Sequence, residues 1–262
     1  MNKEFKNIIF SIENEVAKIS LNRPEVLNSF NYQMADEVIM AFMHCKENNK
    51  IRAIILTGEG RAFCAGQDLE EATGENAPSI DKIIAHTYNP ILKAIRNIEK
   101  PVICAVNGVA AGAGANLAIA CDITIANESS KFIQSFTTIG LIPDSGGTFF
   151  LPRLIGHQKA SMLMFSGDKI SAKEAEDMGL IYKCVTEKEL QIVASDIANR
   201  LAKRPTKSIG LTKKLLNSSF SNNLNSQLDL EKEYQAISAQ TNDHIEGIKA
   251  FFEKRKPNYK GN

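Results

Sequence analysis

The chain has 262 residues, of which 44% are hydrophobic and 23% are charged, a balance that suits one sizeable α/β domain or a core domain with a smaller appendage. Its 31 basic and 30 acidic residues leave a formal charge of +1, so no global basic field points to nucleic acid or to a membrane surface. No run of about 18 apolar residues is present, and residues 1–15 lack the apolar stretch of a signal peptide, so we expect neither a transmembrane helix nor export.

The first part of the chain predicts a ββαβ unit. Residues 8–12 and 16–21 read as two strands, and the polar residues 13–15 form the turn between them. Residues 34–43 carry apolar side chains at helical spacing, and residues 52–57 form a β-branched run typical of a buried strand. Further βα units follow, so the pattern favours an α/β fold other than a strict Rossmann alternation.

The middle of the chain predicts a loop, a helix and a compact strand–helix–strand segment. Residues 70–79 are polar and contain glycine and proline, which is typical of a mobile loop. Residues 80–98 have helical periodicity, and Pro90 predicts a kink or a break within them. The next predicted elements are a strand at 102–106, a small-residue helix at 114–120 and a strand at 123–126.

Beyond residue 148 the sequence turns helical. The segments 171–174 and 186–189 both fit the capping-box pattern of a helix start. Helices are predicted at 206–216, 225–239 and 241–254, and no strand is expected from about residue 200. We therefore divide the chain into an α/β core, residues 1–200, and a C-terminal helical region, residues 201–262. That region either packs against another subunit or folds back on its own core.

Two glycine-marked turns, at 60–69 and 107–116, each follow a predicted buried strand, and the second opens directly into the small-residue helix. Such loops can bring backbone N–H groups together on one point, as the stabilisation of a transient negative oxygen requires. A helix N-terminus adds its positive dipole end to the same place. Alternatively, the small residues at 110–115 reflect only close packing of a helix on a strand.

A third segment, at 140–148, places a carboxylate in an apolar setting. Asp144 directly follows Leu-Ile-Pro and precedes two glycines. Apolar neighbours raise the pKa of a carboxyl group by desolvation and make it a better base. The alternative is that Asp144 only caps a helix beginning near Ser145. The coincidence of this segment with the two glycine turns favours a role in catalysis.

Several other chemistries are excluded by their missing motifs. Leu117 breaks the dinucleotide-binding glycine fingerprint, and neither a phosphate-binding loop nor a serine-hydrolase elbow is present. The four histidines are isolated, which favours surface or capping roles over catalysis. The five cysteines are scattered without C-x-x-C spacing, so we expect no metal site and predict reduced, buried thiols in a cytoplasmic protein.

The motifs resemble those of the enoyl-CoA hydratase/isomerase (crotonase) superfamily over essentially the whole chain. The matching stretches are 21–24, 60–69, 107–116, 121–123, 142–148 and 251–257. This resemblance implies a crotonase-like α/β spiral of ββα units with a C-terminal helical trimerisation region, assembled as a homotrimer or a dimer of trimers. It also implies an acyl-CoA substrate and no separate cofactor, since coenzyme A is part of the substrate.

The resemblance assigns roles to particular residues. By residue match, the backbone N–H groups of Gln67 and Ala113 hold the thioester oxygen as an enolate forms. Asp144 stands where some family isomerases carry their base. The two glutamates that activate water in the hydratases are matched by Asn116 and Phe136, and neither residue can serve as a general acid or base. The resemblance therefore implies an isomerase, in which an apolar Phe136 excludes water.

Within the family, the resemblance implies conversion of an aromatic epoxide thioester to an oxepin, migration of a double bond in an enoyl-CoA, or both. Two alternatives stay open: a hydratase with relocated acid and base groups, and a non-catalytic acyl-CoA-binding relative. Residues 70–98 are expected to shape the acyl pocket. The residues expected to bind substrate or CoA are Val26, Leu27, Ala65, Gly66, Asp68, Leu69, Gly114, Asn116 and Phe136, with Phe251 and Lys254 from the tail of the same or a neighbouring subunit.

Overall fold

A computed structural model describes residues 5–73 and 77–262. The strands are β1 (Ile8–Glu13), β2 (Val16–Leu21), β3 (Ala53–Gly58), β4 (Ala62–Cys64), β5 (Val102–Val106), β6 (Val109–Ala111), β7 (Ile123–Asn127), β8 (Lys131–Ile133), β9 (Lys169–Ser171) and β10 (Lys183–Val185). The α-helices are α1 (Tyr32–Glu47), α2 (Leu69–Thr73), α3 (Ile80–His86), α4 (Tyr88–Asn97), α5 (Ala113–Ile119), α6 (Gly147–Ile155), α7 (His157–Ser166), α8 (Ala172–Asp177), α9 (Leu190–Ala202), α10 (Thr206–Ser218), α11 (Leu224–Ala239) and α12 (Asn242–Phe252).

The larger sheet confirms the predicted ββαβ beginning. Its strand order is β1-β2-β3-β5-β7-β10, with β1 and β2 antiparallel and the other neighbours parallel. Every residue of β3 and β5 is buried, as expected for parallel strands covered on both faces. Ile54 and Leu56 belong to one hydrophobic cluster, whereas Ile55, pointing the other way, belongs to a second cluster that includes residues of α9.

A smaller sheet, with strand order β4-β6-β8-β9, was not expected from the sequence. Each of its strands has only three residues, too few to show a hydrophobic period, and β4 and β6 are rich in small side chains. Its parallel pairing of β4 with β6 aligns Cys64 with Ala110. The sheet therefore holds the two glycine turns side by side, because β4 lies within the first turn and β6 within the second.

The predictions for residues 70–98 need two corrections. The segment 70–79, predicted as a loop, begins inside helix α2, and residues 74–76 lie outside the described residues. The predicted helix at 80–98 is divided into α3 and α4 at Thr87, three residues before Pro90. A proline lacks the N–H of an interior helical bond, so Pro90 sits in the first turn of α4, where no such bond is needed.

One of the two predicted capping boxes is present in full. The Ser171 hydroxyl accepts a hydrogen bond from the backbone N–H of Glu174 at 3.2 Å, and the Glu174 carboxylate accepts one from the N–H of Ser171 at 2.7 Å. The Glu189 carboxylate likewise accepts from the N–H of Thr186 at 3.0 Å, but it closes a turn, and α9 begins only at Leu190. The prediction of a helix start at residues 186–189 is therefore wrong.

The three helices predicted after residue 200 correspond to α10, α11 and α12, and no strand follows β10 in the described part of the chain. Helix α10 folds onto its own core, where the ammonium of Lys213 pairs with the Asp122 carboxylate at 2.6 Å and Thr206 accepts a hydrogen bond from Arg52 at 2.9 Å. Helix α11, in contrast, has no buried residue. Within the described ranges, no helix is long and apolar enough to cross a lipid bilayer.

Candidate active site

The backbones of the two glycine turns approach each other closely at Gly66 and Gly114, where any side chain would meet backbone atoms of the other turn. Gly66 has φ +100°, and a Cβ built on it would lie 3.2 Å from the carbonyl oxygen of Ala111 and 3.6 Å from the backbone nitrogen of Ala113. A Cβ on Gly114 would lie 2.3 Å from the carbonyl oxygen of Cys64, well inside contact distance. The close approach of the turns therefore depends on these glycines.

A buried thiol lies beneath the first turn. The backbone N–H of Gly66 donates a hydrogen bond to Cys64 Sγ at 3.4 Å. Burial is the main cause that raises the pKa of Cys64 to about 12. The thiol is therefore neutral and supports the turn as a weak hydrogen-bond acceptor.

Two backbone N–H groups are free at this junction. Phe30 donates to the carbonyl oxygen of Gly66 at 2.8 Å and accepts from the N–H of Asp68 at 2.9 Å, so the intervening N–H of Gln67 points away from Phe30. Ala113 is the first residue of α5, where a helix offers an N–H without an internal acceptor. Neither N–H has an acceptor among residues 5–73 and 77–262. Gln67 and Ala113 are thus available to an oxygen of a bound molecule.

The carboxyl group of Asp144 is half-buried in the loop that leads into α6. Burial raises the pKa of Asp144, and a hydrogen bond from the Ser145 hydroxyl at 2.8 Å partly opposes that rise. The cap residue of α6 is Gly146, and no side chain caps this helix. The carboxyl group therefore does not serve as the helix cap that was the alternative explanation of Asp144.

Asn116 joins the loop of Asp144 to the helix that begins at Ala113. Its side chain is fully buried, its amide Nδ2 donates to the Asp144 carbonyl oxygen at 2.8 Å, and its Oδ1 accepts from Gln134 Nε2 at 2.8 Å. Asn116 is thus a link between the loop that carries Asp144 and α5. Direct contact of Asn116 with a substrate stays a prediction.

We expect Asn116→Ala to lower both the stability and the turnover of the protein. The substitution leaves the buried Gln134 amide nitrogen without its partner, which costs about 1–3 kcal/mol. It also removes one of the two hydrogen bonds to the Asp144 carbonyl oxygen, which keeps only the bond from the N–H of Gly147 at 2.9 Å. A displacement of about 1 Å in a catalytic group lowers the rate by about a hundredfold. The measurements are urea unfolding and steady-state kinetics.

Asn217→Ala is the matched control for Asn116→Ala. It removes the hydrogen bonds between Asn217 and Arg96 in another part of the fold. This control should lose stability while keeping its kcat. Equal kcat values in the two variants would contradict the role given to Asn116.

The ring of Phe136 lies next to the second glycine turn. Phe136 is buried, and a Cβ built on Gly112 would lie 3.8 Å from its Cζ atom. Gly112 directly precedes the free N–H of Ala113. An aromatic carbon surface therefore lies beside this donor.

The segment containing Val26 and Leu27 contacts the first glycine turn, and the binding of CoA by these residues stays a prediction. The carbonyl oxygen of Leu27 accepts a hydrogen bond from the N–H of Ala65 at 3.0 Å. Arg23 forms a largely buried ion pair with Asp68 at 2.8 Å and so fixes the residue that follows Gln67. The turn that carries this donor is thus held from one side by the 23–30 segment.

Sequence reasoning missed Asn28, which organises that segment. It is fully buried at φ +56°, its Oδ1 accepts from the N–H of Arg23 at 2.8 Å, and its Nδ2 donates to the Ala62 carbonyl oxygen at 2.8 Å. Asparagine tolerates this left-handed conformation and hydrogen-bonds to nearby backbone groups, so an asparagine shortly after Pro24 could have indicated such a turn.

Three other candidate residues are exposed in the described part of the chain. Leu69 begins α2 and is 61% exposed. Phe251 is 79% exposed near the end of α12, and Lys254 follows that helix. Their contact with coenzyme A, in the same or a neighbouring subunit, stays a prediction.

Comparison with known proteins gives a consistent result over the full chain. The family described as Enoyl-CoA hydratase/isomerase matches residues 11–262. The chain is 43% identical to the 1,2-epoxyphenylacetyl-CoA isomerase of Escherichia coli, covering 97% of this chain and 98% of that protein. It is 42% identical to the probable enoyl-CoA hydratase of Rhodobacter capsulatus, with 98% and 99% covered. The crystal structure of the enoyl-CoA hydratase from Bacillus anthracis, 36% identical, matches with a TM-score of 0.92 and covers 98% of this chain and 100% of that one.

Proposed function

This chain belongs to the enoyl-CoA hydratase/isomerase family, and we propose that it is an isomerase of acyl-CoA thioesters that works through a thioester enolate. The observation that carries the proposal is the half-buried carboxyl group of Asp144, linked by Asn116 to the helix whose first N–H is free. A base and an oxyanion-binding pair are the two parts that enolate chemistry requires.

In the proposed reaction, the thioester oxygen accepts hydrogen bonds from the N–H groups of Gln67 and Ala113. The carboxylate of Asp144 takes the proton from the carbon next to the thioester, and the electron pair of that C–H bond passes into the enolate. The protonated Asp144 then returns the proton to another carbon as the enolate collapses. Removal of one oxyanion donor typically raises the barrier by about 2.7–4 kcal/mol, so the two donors make the weakly acidic proton accessible.

The residues around the site favour isomerisation over hydration. By the resemblance, Asn116 and Phe136 stand in place of the two glutamates that would position and activate water. The buried Phe136 ring beside the second glycine turn would exclude water from the N–H of Ala113. The second candidate function is hydration with relocated acid and base groups, which the name of the Rhodobacter capsulatus relative favours. A third candidate is acyl-CoA binding without turnover.

For the substrate, we propose 1,2-epoxyphenylacetyl-CoA, which would rearrange to the oxepin-CoA, with double-bond migration in enoyl-CoA as a second or additional reaction. The support is the relative of that name in Escherichia coli, 43% identical to this chain. Both reactions rearrange bonds without a change in elemental composition, so neither requires an oxidant or a second substrate.

Three substrates separate these candidate functions. Ring-epoxidised phenylacetyl-CoA should give a ring-expanded product, and a 3-enoyl-CoA should give the conjugated 2-enoyl-CoA. Because each product is an isomer of its substrate, both are followed by chromatographic retention and ultraviolet absorbance. Crotonyl-CoA should keep its conjugated-enoyl absorbance. Rapid loss of that absorbance would establish a hydratase. Binding of all three substrates with turnover of none would establish a non-catalytic acyl-CoA-binding protein.

We also propose that the protein assembles as a homotrimer or a dimer of trimers through its C-terminal helices and acts in the cytoplasm. The support for assembly is the absence of buried residues in α11, where Leu224 is 72% and Leu228 is 51% exposed. Sedimentation equilibrium of the full chain measures the state directly.

A further inference from the structure

Two side chains near the candidate site bury polar atoms without partners. The Tyr88 residue is 2% exposed, and its hydroxyl has no hydrogen-bond partner among the described residues. Both the nitrogen and the oxygen of the Gln67 side-chain amide are likewise buried and unpaired within that part of the chain. Together they account for three of the five such side-chain atoms found in residues 5–73 and 77–262.

Both side chains belong to elements that surround the site. The ring of Phe30, whose backbone brackets Gln67, lies 5.6 Å from the ring of Tyr88, centroid to centroid. One turn after Tyr88 in α4, Leu92 Cδ1 would lie 3.8 Å from a Cβ on Gly146, so α4 packs against the loop that carries Asp144. Tyr88 therefore lies between the turn that carries Gln67 and the loop that carries Asp144.

The electrostatics of Tyr88 agree with this location. Burial is the main cause that raises the pKa of its hydroxyl, and the negative charge of the Asp144 carboxylate adds to the rise. The hydroxyl is therefore protonated, and it can donate a hydrogen bond.

Packing alone does not explain a tyrosine at this position, because phenylalanine would fill the same space without a hydroxyl. A buried hydroxyl without a partner costs about 1–3 kcal/mol of stability. An amide without partners, in Gln67, adds a second cost of the same kind. Unpaired polar atoms on two elements that face the same site indicate groups that pair with a bound molecule.

We propose that the Tyr88 hydroxyl and the Gln67 carboxamide recognise an oxygen atom on the acyl group, beyond the thioester, so that the preferred substrates are oxygen-bearing acyl-CoA thioesters. The inference rests on the proposed function only in that an acyl-CoA thioester occupies this site. Sites whose buried polar groups pair with a substrate oxygen discriminate against analogues that lack it, because those groups are then left unpaired, whereas purely apolar pockets discriminate weakly.

The test measures binding and needs no turnover. The probes are 2-hydroxyphenylacetyl-CoA and phenylacetyl-CoA, which differ by one ring oxygen, titrated calorimetrically into the full-length wild type and into Tyr88→Phe. We expect the wild type to bind the hydroxylated probe about tenfold or more tightly, which is the effect of one hydrogen bond of about 1.4 kcal/mol. In Tyr88→Phe, the ratio of the two affinities should fall towards one.

The control is Tyr182→Phe, which removes a hydroxyl from a side chain that is 64% exposed and should keep the wild-type ratio. An affinity ratio near one in the wild type, or a ratio unchanged by Tyr88→Phe, would overturn the inference. If the preference is present but no substrate turns over, the proposed isomerase falls while the recognition of oxygen stands.

Thermal unfolding gives a second, independent readout. Because Tyr88→Phe removes a buried hydroxyl that lacks a protein partner, its Tm should equal or exceed that of the wild type. A clear decrease in Tm would show that the hydroxyl is held by the fold itself, and the inference would then be wrong.

Discussion

Replacement of Asp144 by asparagine is expected to lower kcat for isomerisation by about 10²–10⁴-fold, the usual contribution of a positioned general base. Asparagine keeps the size of the side chain but cannot accept a proton from carbon. The backbone donors of Gln67 and Ala113 are unchanged by the substitution, so acyl-CoA binding should be retained. Steady-state kinetics with a 3-enoyl-CoA and calorimetric titration with its product measure the two properties separately.

The pH dependence of Asp144 gives this prediction a second part. Burial raises the pKa of Asp144, and catalysis needs its ionised form, so kcat/KM of the wild type should rise with pH through that raised value and be lost below it. Stability should change in the opposite direction. The folded state binds this proton more tightly than the unfolded state, so stability falls as pH rises from the ordinary aspartate value through the raised one. Asp144→Asn should therefore raise Tm at neutral pH, and the gain should vanish below the ordinary pKa of aspartic acid.

The control for Asp144→Asn is Asp196→Asn, which removes an exposed carboxylate from α9. It should leave the kinetics unchanged. Full turnover by Asp144→Asn would exclude this residue as the base. A Tm of Asp144→Asn below that of the wild type at neutral pH would show that burial of the Asp144 charge is not unfavourable.

The second large effect is expected for Gly66→Ala. The added methyl carbon would lie 3.2 Å from the Ala111 carbonyl oxygen and 3.6 Å from the Ala113 nitrogen, against the N–H that is to bind the thioester oxygen. The backbone at φ +100° is also unfavourable for alanine. Separation of the two donor turns should lower kcat by about 10²–10³-fold, the usual loss for one oxyanion donor.

Gly156→Ala separates the effect of backbone strain from the effect on the donors. Gly156 also has a left-handed φ, +79°, but a Cβ there would meet no atom within 4 Å. We expect both variants to lose stability in thermal unfolding and only Gly66→Ala to lose most of its turnover. Wild-type kcat in Gly66→Ala would rule out the donor pair formed by Gln67 and Ala113.

The sequence was sufficient for the elements that carry a long, regular pattern. Residues 16–21 and 102–106 form strands with the predicted bounds, because the alternation of the first and the β-branched run of the second are local signals that need no distant information. The small sheet escaped prediction because three-residue strands show no period. The break at Thr87 lies before Pro90 because a proline is accommodated best in the first turn of a helix, which the periodicity alone does not reveal.

Within the candidate site, sequence motifs indicated the groups that chemistry needs, and the structure added how they are held. Asp144 and the glycine turns have local signatures in apolar flanks and glycine spacing. The link from Asn116 to the Asp144 carbonyl joins residues 28 positions apart. The unpaired hydroxyl of Tyr88 likewise depends on the packing of several elements, since a buried tyrosine looks in sequence like any other apolar residue of α4.

The neutral state of the Cys64 thiol lowers its reactivity towards the epoxide substrate that we propose. An arene epoxide is an alkylating agent, and thiolates are the protein nucleophiles that it attacks most readily. With a pKa of about 12 for Cys64, only about one molecule in 10⁵ carries the thiolate at pH 7. The same burial that lets this sulfur support the first turn would thus protect the protein from alkylation by the epoxide substrate that we propose.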